Sequence, residues 1–237
     1  MTLDPFPDGW TRALCIVAHP DDLEYGAAGA VAAWTSAGRS VAYLLATRGE
    51  AGIDGIPPDE CGPLREREQR AAATVVGVDA VEFLDHRDGV LEASVALRRD
   101  LAGAIRRHRP EVVVTLHFGD RWGGTGPWNS ADHRNLGRAV VDAVGDAGNR
   151  WIHTDLGLEP WAGVRWVAVA ASERPTHAVV LSDDDLDRAV RSLEAHAEYL
   201  RGLGSGPMTD ARTFLEGNAR ADDGTLRTVF ELLPFAG

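Results

Sequence analysis

Six apolar residues in a row, Ala13-Leu14-Cys15-Ile16-Val17-Ala18, open a pattern that governs the first two thirds of this chain. A run so short and continuous, with no polar face, suits a strand buried on both sides of a sheet. Residues 23–37 then carry Ala, Val and Trp34 at helical spacing and stop at Gly38. The alternation repeats, with strands expected over 40–47, 80–84 and 111–116 and helices over 63–76, 95–107 and 132–144. Right-handed crossovers between parallel strands put such helices on both faces, so an α/β fold with a mostly parallel sheet is expected. Past residue 144 the pattern loosens. Strands over 163–171 and 177–181 and a helix over 183–200, capped by Ser182, read as a small C-terminal α+β extension of about 151–237 on a core of about 10–150. No repeat or linker divides the chain, and 1–237 is read as one domain.

Composition narrows the function. Of 237 residues 44% are hydrophobic, enough for a sizeable core, while Asp and Glu outnumber Lys and Arg by 36 to 24, a net charge of −12. A phosphate backbone would be repelled, so no nucleic-acid partner is expected. Every basic residue is Arg, which removes the P-loop lysine and Schiff-base chemistry together. The two cysteines, Cys15 and Cys61, provide neither a disulfide framework nor a Cys-rich metal site. With no signal-like N-terminus and no apolar stretch near the ~18 residues of a span, a cytoplasmic protein without a membrane partner is expected.

The residues that carry chemistry gather at two places. Ala18-His19-Pro20-Asp21-Asp22-Leu23-Glu24 follows the first strand, where an open parallel sheet has its ligand crevice. One imidazole and two carboxylates can supply two metal ligands and a general base; the same residues also suit a turn into a helix, with acids complementing its dipole. Trp128-Asn129-Ser130-Ala131-Asp132-His133 brings a second imidazole to the same sheet edge, or else merely caps a helix. Gly26-Ala27-Ala28-Gly29 lacks the spacing of a dinucleotide fingerprint. The Gly-rich loops 49–55 and 118–128 are the long connections; Trp122 and Trp128 in the second suit stacking on a sugar or acyl chain, or anchoring the loop.

Taken together, Ala18 to Asp22, Gly49-Glu50-Ala51-Gly52, the Arg65 to Val78 segment, Asp88-Gly89 and Asp132-His133 resemble, in this order, the PIG-L/LmbE-like zinc-dependent N-acetylglucosaminyl deacetylases. The resemblance implies a Rossmann-like fold and removal of an N-acetyl or other N-acyl group from an amino-sugar-like small molecule, by attack of a zinc-bound water on the amide. It implies His19, Asp22 and His133 as zinc ligands, Asp21 as base, Asp132 as outer partner of a ligand, and Arg65 and Asp88 as sugar contacts. Fe²⁺ and Co²⁺ suit the same ligand set.

The chain departs from the family at Ser130, where many members carry a histidine tied to the oxyanion or the leaving group. His117, at the end of the strand over 111–116, and His196, in the late helix, are the candidates for that role, with Ser130 and Trp128 remaining as substrate contacts. The departure keeps two alternatives open: an amidase for a thiol conjugate or natural-product intermediate, and a non-catalytic sugar-binding module. A homo-oligomer is compatible with all three.

Overall fold

The continuous apolar runs lie at the centre of a single eight-stranded sheet. In the computed structural model, which describes residues 3–235, the strands are β1 (Asp4–Pro5), β2 (Arg12–Val17), β3 (Ser40–Leu45), β4 (Ala80–Phe83), β5 (Val112–Leu116), β6 (Trp166–Ala170), β7 (His177–Val180) and β8 (Arg227–Pro234). Their order is β1-β7-β8-β6-β5-β2-β3-β4, and all run parallel except β8, which is antiparallel to both neighbours. The helices are α1 (Asp22–Gly26), α2 (Ala28–Ser36), α3 (Pro58–Val75), α4 (Val95–His108), α5 (Ala131–Gly148), α6 (Asp183–Glu194), α7 (Ala197–Gly202) and α8 (Ala211–Ala219).

Alternate residues of a strand face opposite sides, and the central strands divide accordingly. Cys15, Val17, Tyr43 and Val114 pack with Leu23, Val31 and Leu193 of α1, α2 and α6, whereas Leu14, Ile16, Leu44 and Val113 pack with Leu101, Ile105 and Val140 of α4 and α5. The chain leaves β2 toward β3 and β4 on one side and returns through β5 and β6 on the other. The strand order therefore reverses between β2 and β5, whose C-terminal ends flank a ready-made crevice.

Three expected helices differ. The one over 23–37 is split at Ala27 (φ −142°) because α1 presses so closely on the sheet that a Cβ on Gly26 would come within 2.7 Å of Leu116 Cδ1. The one over 63–76 begins at Pro58, since Pro is favourable in a first turn that also carries Asp59 and Glu60. The one over 183–200 breaks around Ala195 and His196, turning His196 inward to a fully buried position. Neither β8 nor α8 was expected; β8 inserts between β6 and β7, so the C-terminal segment completes the sheet.

Candidate active site

The left-handed backbone of Asp21 (φ 99°) sits between β2 and α1, a conformation that costs a non-glycine residue ~1–3 kcal/mol and has to be held by its surroundings. Gln69 accepts from the Asp21 N–H at 3.0 Å, and Arg65 Nη2 donates to Asp21 Oδ2 at 3.1 Å and to the Pro20 carbonyl. The turn thereby directs Asp21 toward α3 and Asp22 back toward the strand end, where Asp22 Oδ2 accepts from the N–H groups of Ala18 and His19 at 3.0 and 2.9 Å. Gly49 and Gly52 are required by the same arrangement: Arg65 Nη1 donates to the Gly49 carbonyl at 3.2 Å, and a Cβ at either glycine would strike the guanidinium.

His19 lies over β2's end and His133 in the first turn of α5. His19 Nε2 is 3.1 Å from Asp132 Oδ2 and 3.1 Å from Asp88 Oδ1, both acceptors, which fixes its proton on that nitrogen. Asn129 uses its amide N–H groups on the His117 and Gly119 carbonyls, leaving Oδ1 to accept from His133 Nδ1 at 2.9 Å. The inner nitrogens, His19 Nδ1 and His133 Nε2, are then lone-pair acceptors 3.2 Å apart, with Asp22 Oδ1 3.0 Å from His133 Nε2. Three acceptors of this kind, with donor hydrogens all turned outward, fit a divalent cation; His19, Asp22 and His133 could hold one, and His19, Asp88 and Asp132 form a second overlapping group.

The surrounding carboxylates draw positive charge to this point, as a proton on His19 or as a metal ion that takes the proton's place. Burial disfavours a charged His19, but its hydrogen bonds to Asp132, Asp22 and Asp88 outweigh burial and hold its pKa well above the ordinary value. Burial also works against the Asp22 carboxylate, yet His133 and His19 pull its pKa well below the usual range. Asp21 moves the other way: burial raises its pKa and the neighbouring Asp22 charge adds to that, against the opposing Arg65. Two adjacent carboxylates are thus driven apart, one ionised as a ligand requires and one closer to proton exchange.

Around this group lies a cavity of about 920 Å³, bordered by His19, Asp21, Asp22, Asp132 and His133 and also by Arg65, Asp88 and Ser130. Ser130 is the N-cap of α5, its hydroxyl accepting from the His133 N–H at 3.1 Å. Three expected site residues stand apart. His117 lies under the 118–128 loop, 4% exposed, with Nε2 donating to the Arg121 carbonyl at 3.0 Å, and it does not line the cavity. His196 is fully buried with Nε2 3.5 Å from Glu24 Oε2, behind the cavity wall. Trp128 is 58% exposed because Arg121 and Arg134 hold it on the loop's outer side, their guanidiniums 5.3 and 5.2 Å from its ring; Trp122 takes the inner position, 5.7 Å from the His133 ring.

Several residues of the site were not singled out from the sequence. Gln69 stands four residues along the α3 face from Arg65, and that spacing was the available signal, whereas Asn129 lies just ahead of the α5 N-cap Ser130, within the segment that carries His133. Tyr199, whose ring lies 4.1 Å under the Arg65 guanidinium, carries no such local mark. Among the described residues no helix is long and apolar enough to cross a membrane.

The chain is similar to several known proteins. Over 203 residues, 81% of this chain and 72% of the relative, it is 32% identical to diacetylchitobiose deacetylase of Thermococcus kodakarensis. It is 30% identical to a 1D-myo-inositol 2-acetamido-2-deoxy-alpha-D-glucopyranoside deacetylase of Kineococcus radiotolerans over 69% of this chain and 53% of that protein. The solved N,N′-diacetylchitobiose deacetylase of Pyrococcus horikoshii, in complex with its inhibitor MPG, shares the fold at a TM-score of 0.80 and 22% identity, over 95% of this chain and 84% of that one. The model of the PIG-L family, GlcNAc-PI de-N-acetylase, matches residues 14–144, a span that runs from β2 through most of α5 and so contains both halves of the ligating group; this chain belongs to that family.

Proposed function

We propose that residues 1–237 act as one catalytic domain, a cytoplasmic Zn²⁺-dependent hydrolase that removes the N-acetyl group of a small amino-sugar-like substrate. The observation that carries the reading is the convergence of His19 Nδ1, His133 Nε2 and Asp22 Oδ1 within about one metal-coordination sphere, each outer N–H already bound to protein. Two curated relatives named as deacetylases of acetamido sugars support the substrate class.

His19, Asp22 and His133 would hold a divalent ion, which when bound would supply polarisation of the amide carbonyl and a lowered water pKa. Asp21 takes the proton of the attacking water. Because neither His117 nor His196 borders the cavity, the same carboxylate returns that proton to the departing amine. Arg65, 2% exposed and spending its donors on Asp21, Pro20 and Gly49, keeps the base aimed and its backbone strain contained. Asp88, Gly89 and Ser130 form the polar rim that faces the sugar. The test is metal analysis of the purified chain together with amine release from N-acetylated mono- and disaccharides, with and without chelator. Chelator-sensitive release upholds the reading; a metal-loaded protein inert to every N-acetyl sugar overturns it.

A further inference from the structure

The cavity that contains the ligating residues extends well past them. It continues between α1–α2, α6, α8 and β8, where Leu116, Leu181, Leu186, Ala189, Leu215 and Val229 supply the apolar part of its wall. Of these, Leu116, Leu181, Leu186, Ala189 and Leu215 belong to the apolar core on that face of the sheet and are 2–7% exposed, yet they border open space. Close-packed interiors leave few voids larger than a water molecule. At about 920 Å³ the combined cavity is of the size that encloses a drug-sized ligand; its lining is mainly apolar, with polar groups at the ligating end and Asn218, Arg227 and Thr228 of α8 and β8 at the edge of the other arm.

The two ends sort the two substituents of an amide. With the carbonyl at His19, Asp22 and His133, the hydroxyl-bearing amine belongs at the polar rim of Asp88, Gly89 and Ser130, and the acyl group is left facing the leucines. An acetyl methyl would occupy only a small part of that space. We propose that this arm is an acyl-chain pocket and that the enzyme accepts N-linked straight apolar chains of about six to ten carbons, an inference that rests on the deacetylase reading and extends it. In the reaction water oxygen bonds to the acyl carbon, the C–N bond breaks, and the products are the fatty carboxylate and the free amine, with no further reactant.

The test is a series of N-acetyl-, N-butyryl-, N-hexanoyl- and N-octanoylglucosamine with the Zn²⁺-loaded full chain, following free amine. Each buried methylene is expected to raise kcat/KM about fourfold, so that octanoyl, six methylenes longer, exceeds acetyl by about 10³-fold or more. Ala189→Phe and Leu215→Trp, two variants on separate helices, are each expected to reduce the octanoyl-to-acetyl ratio by about tenfold or more. A ratio that is flat or falls with length while acetyl is still cleaved overturns the pocket and leaves the deacetylase reading standing. If no amide is cleaved, that reading fails, and thermal shifts decide the pocket separately: a larger rise in Tm with octanoate than with acetate, lost in Leu215→Trp, upholds it, and equal rises overturn it.

Discussion

His19 Nδ1 and His133 Nε2 face each other across 3.2 Å although the outer nitrogen of each ring is already committed as a donor, to Asp132 and Asp88 in one case and to Asn129 in the other. Two lone pairs at that distance, with Asp22 beside them, repel unless a cation stands between, either a proton on one ring or a divalent ion that displaces it. The purified protein is therefore expected to hold about one divalent ion per chain, and His133→Ala to lose ion and turnover together. Elemental analysis alongside amine release checks this; full metal content in His133→Ala would locate the ion elsewhere.

Asp21 differs from its neighbour in sequence by facing Arg65 and Gln69 in place of the two imidazoles. Asp21→Asn keeps the size and the hydrogen-bonding frame but removes the base, so metal content should stay at the wild-type level while kcat falls by about 10²–10⁴. Loss of the ion in this variant would make Asp21 a ligand.

Asn129 is buried and bonds His133 Nδ1 while its amide donors tie down the strand end at His117 and Gly119. Removing such an outer partner commonly weakens metal binding by about 10–100-fold. Asn129→Ala should show that loss in competition with a fluorescent chelator, with the fold retained by circular dichroism; wild-type affinity would mean the His133 ring is oriented by other contacts.

What could be read directly from the residues follows from how local the cause is. Strands β2, β3 and β5 are continuous apolar runs because both faces are covered, so the fold class was legible, as was the placement of His19, Asp21 and Asp22 at a strand end beside the crevice; their separate roles came only from the family resemblance. His133 was legible from its place at a helix start, but not the hydrogen bond that orients its ring. The breaks at Ala27 and His196 arise from packing, Gly26 against Leu116 and His196 against Glu24, which helical spacing does not register. Which tryptophan of the 118–128 loop turns inward, and that His117 spends its Nε2 on Arg121, depend on how a glycine-rich loop folds back on itself.

Asp146, on α5 far from the site, accepts from Arg98 Nε and Nη2 at 2.9 and 2.8 Å and faces His153 Nε2 at 3.2 Å. Burial raises its pKa, but the hydrogen bonds from Arg98 and His153 dominate and bring it below the ordinary 3.8. A carboxyl whose folded pKa is depressed contributes stability that is fully present above the unfolded value and is lost as pH falls through the folded one. Between about pH 5 and pH 3 the urea midpoint of the wild type should therefore fall more than that of Asp146→Asn; parallel curves would show that the pair contributes nothing.

The same reasoning with the opposite sign governs Asp21. Burial raises its pKa most and the Asp22 charge raises it further, while Arg65, His196 and a hydrogen bond with Tyr199 pull it down, leaving it above the ordinary 3.8. As base, Asp21 works only when ionised, so the acid limb of kcat/KM should lie above that value, with rate lost as pH falls through it. Tyr199→Phe removes one of the interactions that favour the carboxylate, and the limb should move to higher pH. A residue with a purely structural role would change the height of the profile without displacing the limb. The experiment is a pair of pH profiles at fixed Zn²⁺, with metal content measured at the acid end to separate protonation of Asp21 from loss of the ion; a limb that stays in place in Tyr199→Phe would assign the acid limb to a group other than Asp21.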